Sequence, residues 1–146
     1  MTKPIKFRRP SNYDIAVAKN GVPFVHKDDE GNSFGTFHIS LFNLESKFVR
    51  VILERFNREN KDVLEGMTDT DMRTIYSFIN TSLHGWSNVL DENGKEVPFS
   101  REAAFELLCG EDADDIDFPK TLLEFAATKA NFKHDPRVTK EDDAKN

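Results

Sequence analysis

The apolar residues of this chain change period at Leu41, and that switch limits what can form on either side of it. Before it, Tyr13, Ile15 and Val17 alternate with polar or small residues. Val22 to His26 is a second apolar run, and Phe34 to Ser40 a third, with Phe37 and Ile39 on one face. Alternation suits strands, because successive side chains point to opposite faces. Asn20-Gly21 and Asp28 to Asn32 separate the runs with residues that accept tight turns. Residues 13–40 are therefore predicted to form a three-stranded antiparallel β meander. Pro23 cannot donate to a ladder and puts the second strand at an edge.

After Leu41 the period is helical. Leu44, Phe48, Val51, Ile52 and Phe56 fall on one stripe, with Asn43 as the predicted N-cap. Val49 and Leu53 widen the apolar arc, which predicts a helix buried on more than one side. Asp62-Val63-Leu64 keeps some helix in the following connection. Thr68 with Asp71 reads as a capping-box variant for a helix carrying Met72, Ile75, Ile79 and Leu83, which Gly85 stops. Val89-Leu90 and Val97 read as the short arms of a hairpin, with Asn93-Gly94 as its turn and Pro98 as its end. Ser100 caps a helix that buries Phe105, Leu107 and Leu108. Asp117 caps the last helix, with Pro119 in its first turn and Leu122, Phe125, Ala126 and Phe132 as its stripe.

The fold class is α+β: an N-terminal antiparallel β meander followed by a mainly α-helical bundle of about four helices, with a short β-hairpin at 86–99. Residues 1–132 form a single domain, divided into the meander at 13–40 and the helical part at 43–132. Residues 133–146 are charged, lack periodic apolar positions and are expected to be disordered.

Charge and composition narrow the function. The net charge is −6 over 146 residues, whereas a general nucleic-acid binder needs a basic face, so no nucleic-acid partner is expected. Lys3, Lys6, Arg8 and Arg9 nevertheless make a short basic arm. No apolar run approaches the ~20 residues of a membrane span, and the start lacks the apolar core of a secretory signal. The single cysteine, Cys109, excludes an intramolecular disulfide and fits a reducing compartment. Thirteen Phe against two Tyr and one Trp predict a Phe-built core with some Phe left for a partner.

Groups able to do chemistry do not converge. His26 and His38 are predicted as cross-strand neighbours facing solvent, without a Cys or carboxylate at ligand spacing. His84 beside Gly85 suits a helix C-terminus. Cys109 ends an apolar helix without an activating base, which predicts a buried, inert thiol. Glu111 to Asp117 lacks the central glycine and closing Glu of a calcium loop. Gly31 and Gly35 lack the lysine and following helix of a phosphate cradle. The sequence thus predicts no enzyme, no metal and no cofactor. Trp86 either anchors the hairpin to the bundle or forms an exposed aromatic patch with Phe99. The candidate partner-binding residues are Trp86, Phe99, Phe105 and Leu108.

Read as one unit, His84 to Leu108 contains Gly-Trp, an acidic turn with Asp91 and Gly94, Pro-Phe-Ser at 98–100, and a helix ending in Leu-Leu. That order resembles the tail assembly chaperones of long-tailed, siphovirus-like bacteriophages. The flanks are similar in kind, down to Ala130-Asn131-Phe132 near the end of the last helix. The resemblance implies a non-enzymatic protein of the host cytoplasm, absent from the mature virion. Such a protein binds the hydrophobic, helical tape measure protein and keeps it soluble during tail assembly. The tail tube protein and self-association are further expected contacts. Some members are also made in a longer, frameshifted form, and Lys145-Asn146 is the dipeptide that the slippery run A-AAA-AAC encodes. Two other readings stand beside it: a structural tail or connector subunit of the virion, and a host-directed phage binding protein.

Overall fold

Asp14 sets the first element. Its carboxylate accepts hydrogen bonds from the Ala16 N–H at 2.9 Å and the Val17 N–H at 3.3 Å. This N-cap starts helix α1, Ile15–Asn20, by satisfying donors that have no partner within the helix. The strand predicted through Tyr13, Ile15 and Val17 is therefore a helix. Over so few residues an alternating pattern and a helical stripe are hard to tell apart. Ala18 separates them, since it is fully buried while Ile15 is exposed. The computed structural model describes residues 3–8, 13–110 and 117–137.

Strands β1 (Val22–Lys27) and β2 (Ser33–Ile39) make a hairpin, and the third strand comes from far along the chain, as β3 (Leu83–Ser87). The sheet is antiparallel in the order β1-β2-β3. β1 is an edge strand, where a proline is tolerated. In the central strand, Phe37 lies opposite Phe24 on one side and Trp86 on the other. Gly85, predicted to stop a helix, sits within β3. The predicted 86–99 hairpin keeps its turn but little ladder. Leu90 and Glu96 form a single bridge, Val97 N–H donates to Val89 O at 2.8 Å, and Gly94 takes φ 79°.

The helices follow their caps. Helix α2, Lys47–Glu59, begins after Ser46 rather than Asn43. Asn43 instead accepts from the Glu45 N–H at 2.9 Å and donates to Ala127 O at 2.7 Å. Its side chain is thus used in a turn and a long-range tie, not in a cap. Helix α3, Lys61–Glu65, occupies the connection. Helix α4, Thr70–Thr81, is capped by Asp69, which accepts from the Asp71 and Met72 N–H groups. That displaces the predicted Thr68 box. Helix α5, Arg101–Cys109, starts as predicted, with Ser100 Oγ accepting from the Ala103 N–H at 3.0 Å.

Helix α6, Asp117–Ala127, is followed by a 3-10 turn, Lys129–Phe132. Phe132 therefore reaches the core from its own turn and not along the α6 stripe. Beyond it, Arg137 pairs with Asp135 at 2.8 Å and donates to Gly21 O at 3.0 Å. The acidic run at 111–116 and the tail at 138–146 lie outside the described residues.

The main core gathers Phe37 and Ile39 of the sheet, Ile75, Phe78 and Ile79 of α4, Leu108 of α5 and Leu122 of α6. A smaller one joins Ala18, Val22, Leu41, Val49 and Phe132. Phe37, Phe78 and Phe132 are fully buried, so phenylalanine supplies much of the buried area.

Gly21 joins α1 to β1 at φ 85°, and a Cβ there would lie 2.8 Å from His38 Cδ2 and 2.9 Å from Ile39 O. With ψ 164° this is a backbone region that is essentially glycine-only, so Gly21→Ala is expected to cost at least about 1–3 kcal/mol. A lower urea midpoint with an unchanged slope would show it, and an unchanged midpoint would refute this account of the joint.

Candidate functional site

Helix α2 carries Phe48, Val49, Val51, Ile52, Leu53 and Phe56, an apolar arc wider than one neighbouring helix can cover. Its main packing partners are α4 and α3, and Val49 is its single buried residue. The helix meets two neighbours, the smaller core through Val49 and α4 through Phe56, but its burial is shallower than the prediction of a helix buried on more than one side. Leu53 and Phe56 are half-buried, and the Phe56 ring lies 5.7 Å from Tyr76 of α4. Phe48 is also half-buried, packed against the smaller core, whereas Val51 is 49% and Ile52 43% exposed. Leu44 before the helix and Val63 of α3 are also exposed.

Half-buried Leu53 lines a groove of about 460 Å³ between α2–α3 and α4. Phe42, Leu44, Leu53 and Leu64 form its apolar side, and Arg73 and Asn57 its polar side. A second depression, of about 440 Å³, shares Leu44, Leu53 and Asn57 and continues over Val51. Two arginines brace the loops at its edge: Arg50 donates to Leu44 O at 2.8 Å, and Arg73 donates to Met67 O. Helix α2 carries Lys47, Arg50, Arg55 and Arg58 against Glu54 and Glu59, so this face is locally basic on an acidic protein. Its arrangement suits an apolar chain with acidic flanks. Contiguous exposed apolar surface of this kind is characteristic of contact sites.

The residues singled out from the sequence are only partly brought together. Trp86 and Phe99 meet edge to face, ring centroids 5.1 Å apart. Trp86 also packs edge-on against Phe37 at 6.1 Å, and its indole N–H donates to Val97 O at 2.7 Å. It therefore ties β3, the hairpin and the core together. Phe105 lies on α5 with its ring 6.0 Å from Tyr76. Leu108 is 3% exposed and belongs to the main core, so no partner can reach it on this surface. Val51, Ile52 and Leu44, read from the sequence as core, are the exposed residues instead. The signal that could have found them is the excess width of the α2 arc.

The histidines pair differently from the prediction. His38 lies opposite Pro23 in the β1–β2 register, while His26 rests 4.7 Å from the Phe118 ring. The register that sets Val22 opposite Ile39 and Phe24 opposite Phe37 puts His26 three residues along β1 from the partner of His38, so the expected cross-strand pair does not form. His38 instead meets His84 edge-on at 5.9 Å. His38 Nε2 is 2.8 Å from Asn20 O, and His84 Nε2 is 2.8 Å from Ser40 Oγ. Among the described residues no group of three or more His, Cys, Asp or Glu could hold a metal ion. Cys109 is half-buried, and burial with the nearby Asp69 charge raises its thiol pKa.

The class defined by this architecture is an α+β protein with a three-stranded antiparallel sheet backed by helices. The family model of the YdaY prophage protein matches residues 45–146, and the chain belongs to that family. It is a phage-derived protein. No curated protein and no solved structure matches it. Among the described residues no helix is long and apolar enough to cross a membrane.

Two measurements follow from this site. Burial, with the positive charges of His38 and Arg101, holds the His84 pKa below its ordinary value. An unfolded histidine takes up its proton near about pH 6.5. The unfolded state then binds more protons, so stability falls as pH drops below that value and levels off beneath the folded pKa. His84→Gln is expected to flatten that part of a pH series of urea midpoints; an equally steep series would exclude His84 as the cause. Trp86→Phe keeps the aromatic packing but leaves the Val97 carbonyl without its donor, an expected loss of about 1–2 kcal/mol in urea unfolding. No loss would mean that the indole bond does not hold the hairpin.

Proposed function

We propose that the protein is a bacteriophage tail assembly chaperone that binds the hydrophobic helical tape measure protein and keeps it soluble in the host cytoplasm during tail assembly. The observation that carries this reading is the exposed apolar side chains Val51 and Ile52 of α2, with the continuous pair of grooves that run from Leu44, Leu53 and Asn57 to Val51. A helix laid along such a groove buries anchors spaced three and four residues apart. The phage family supports the setting, and the Trp86–Leu108 pattern supports the class. On this reading the work is done by binding, without catalysis, cofactor, nucleic acid or membrane. The tail tube protein is a further contact as the tube closes over the tape measure.

The test is co-expression with the tape measure protein encoded by the same phage. Wild-type protein is expected to move most of it into the soluble fraction. Val51→Asp with Ile52→Asp is expected to return it to the level seen without chaperone, because a charge buried against an apolar helix is strongly unfavourable. Circular dichroism should show the double variant as folded, since both positions are exposed. Full solubilisation by the variant would move the binding site off α2. A stoichiometric amount of the protein in purified virions would favour the structural subunit instead.

A further inference from the structure

Two surfaces outside the α2 region also expose apolar side chains, and they carry opposite charge. The first is the arm at residues 3–8, Lys-Pro-Ile-Lys-Phe-Arg, which has no regular secondary structure. Ile5 is 76% and Phe7 63% exposed. In an extended backbone they fall on one side, with Lys6 and Arg8 on the other. Residues 1–12 contain Lys3, Lys6, Arg8 and Arg9 and no carboxylate.

The second is a groove of about 490 Å³ where β1 ends and β2 begins. Phe34, Val89, Leu90, Leu107 and Phe118 form its apolar lining, with His26 and Asp91 among its polar groups. Phe34 is 53% and Leu90 59% exposed. The turns that lead into this lining, 28–32 and 91–96, hold Asp28, Asp29, Glu30, Asp91, Glu92 and Glu96 against Lys95.

We infer that the arm of one copy docks in this groove of a second copy. Ile5 and Phe7 enter the apolar lining, while the lysines and arginines of the arm lie against the two acidic turns. Every residue of the arm at 3–8 is exposed, so the arm does not occupy its own groove. A symmetric exchange places both arms in both grooves and closes the assembly at a dimer. Charge complementarity sets the direction of the arm and makes the contact sensitive to salt. This inference is independent of the chaperone reading, because it uses neither α2 nor its flanking grooves.

The test is sedimentation equilibrium of the full chain at low and high salt. Wild type is expected to form a concentration-dependent dimer that weakens in high salt. Ile5→Glu on the arm and Leu90→Glu in the groove should each weaken it about tenfold or more, as placing a charge in an apolar contact does. Val63→Glu, on an exposed apolar residue outside both surfaces, should leave it unchanged. Lys6→Glu and Glu92→Lys should each weaken the dimer alone, and a mixture of the two variants should restore it as a heterodimer. Circular dichroism keeps loss of folding apart from loss of contact. A monomer at every concentration would overturn the inference. So would a dimer insensitive to Ile5→Glu and Leu90→Glu, or an arm-to-groove cross-link formed within a single monomer.

Discussion

Three consecutive backbone N–H groups hold this fold together. Ser40 donates to Ser82 O at 2.9 Å, Leu41 to Ala18 O at 3.0 Å, and Phe42 to Ala126 O at 2.8 Å. The tripeptide leaving β2 is thereby joined to the end of α4, to α1 and to α6. Ser40 and Leu41 are buried, where an unpaired N–H would be costly. Each donor therefore requires its partner element to be in place. Because β2 is also the central strand, a shift in its register would move Phe37 off both Phe24 and Trp86 and misplace all three bonds. The long-range contacts of the molecule thus depend on one strand and the three residues that follow it.

How much of this was legible in the sequence depended on how local the determining contact is. Ser100 and the helix after it were readable because the cap and the N–H it satisfies are three residues apart. Pro23 marked an edge strand for a reason internal to the residue. The β1–β2 hairpin was readable from alternation and a polar turn. The third strand was not, because Leu83–Ser87 is chosen by pairing with a strand more than forty residues earlier. Its glycine reads equally well as the end of α4. Asp14 was a usable cap in plain view, but the alternation of Tyr13, Ile15 and Val17 outweighed it. The decisive fact, complete burial of Ala18 against the second core, is tertiary.

The candidate site was the least legible part, and for a related reason. Periodicity identifies an apolar face but does not say whether anything covers it. The α2 stripe looked like core because apolar stripes usually are. Val51 and Ile52 are uncovered because α4 takes the side of Phe56 and the smaller core the side of Phe48, Val49 and Leu53. Trp86, Phe99, Phe105 and Leu108 looked available for a partner because they cluster in a recognisable stretch. In the fold they divide: the first two fasten the hairpin, Phe105 extends the ring contacts of Tyr76, and Leu108 belongs to the core.

This division separates stability from contact. The sheet, α4, α5 and α6 supply nearly all of the main core, and α2 adds to the smaller one buried Val49, with Phe48 and Leu53 packed against it. A substitution on the outer face of α2 therefore removes little buried area and few native contacts, and such changes usually alter stability only slightly. The same holds for the arm at 3–8. Surfaces held by a fold to which they contribute little can change in shape and charge to suit a partner while the scaffold stays the same. Helix α2 extends that freedom from loops to a whole helix, which is rigid enough to present its apolar side chains at fixed spacing.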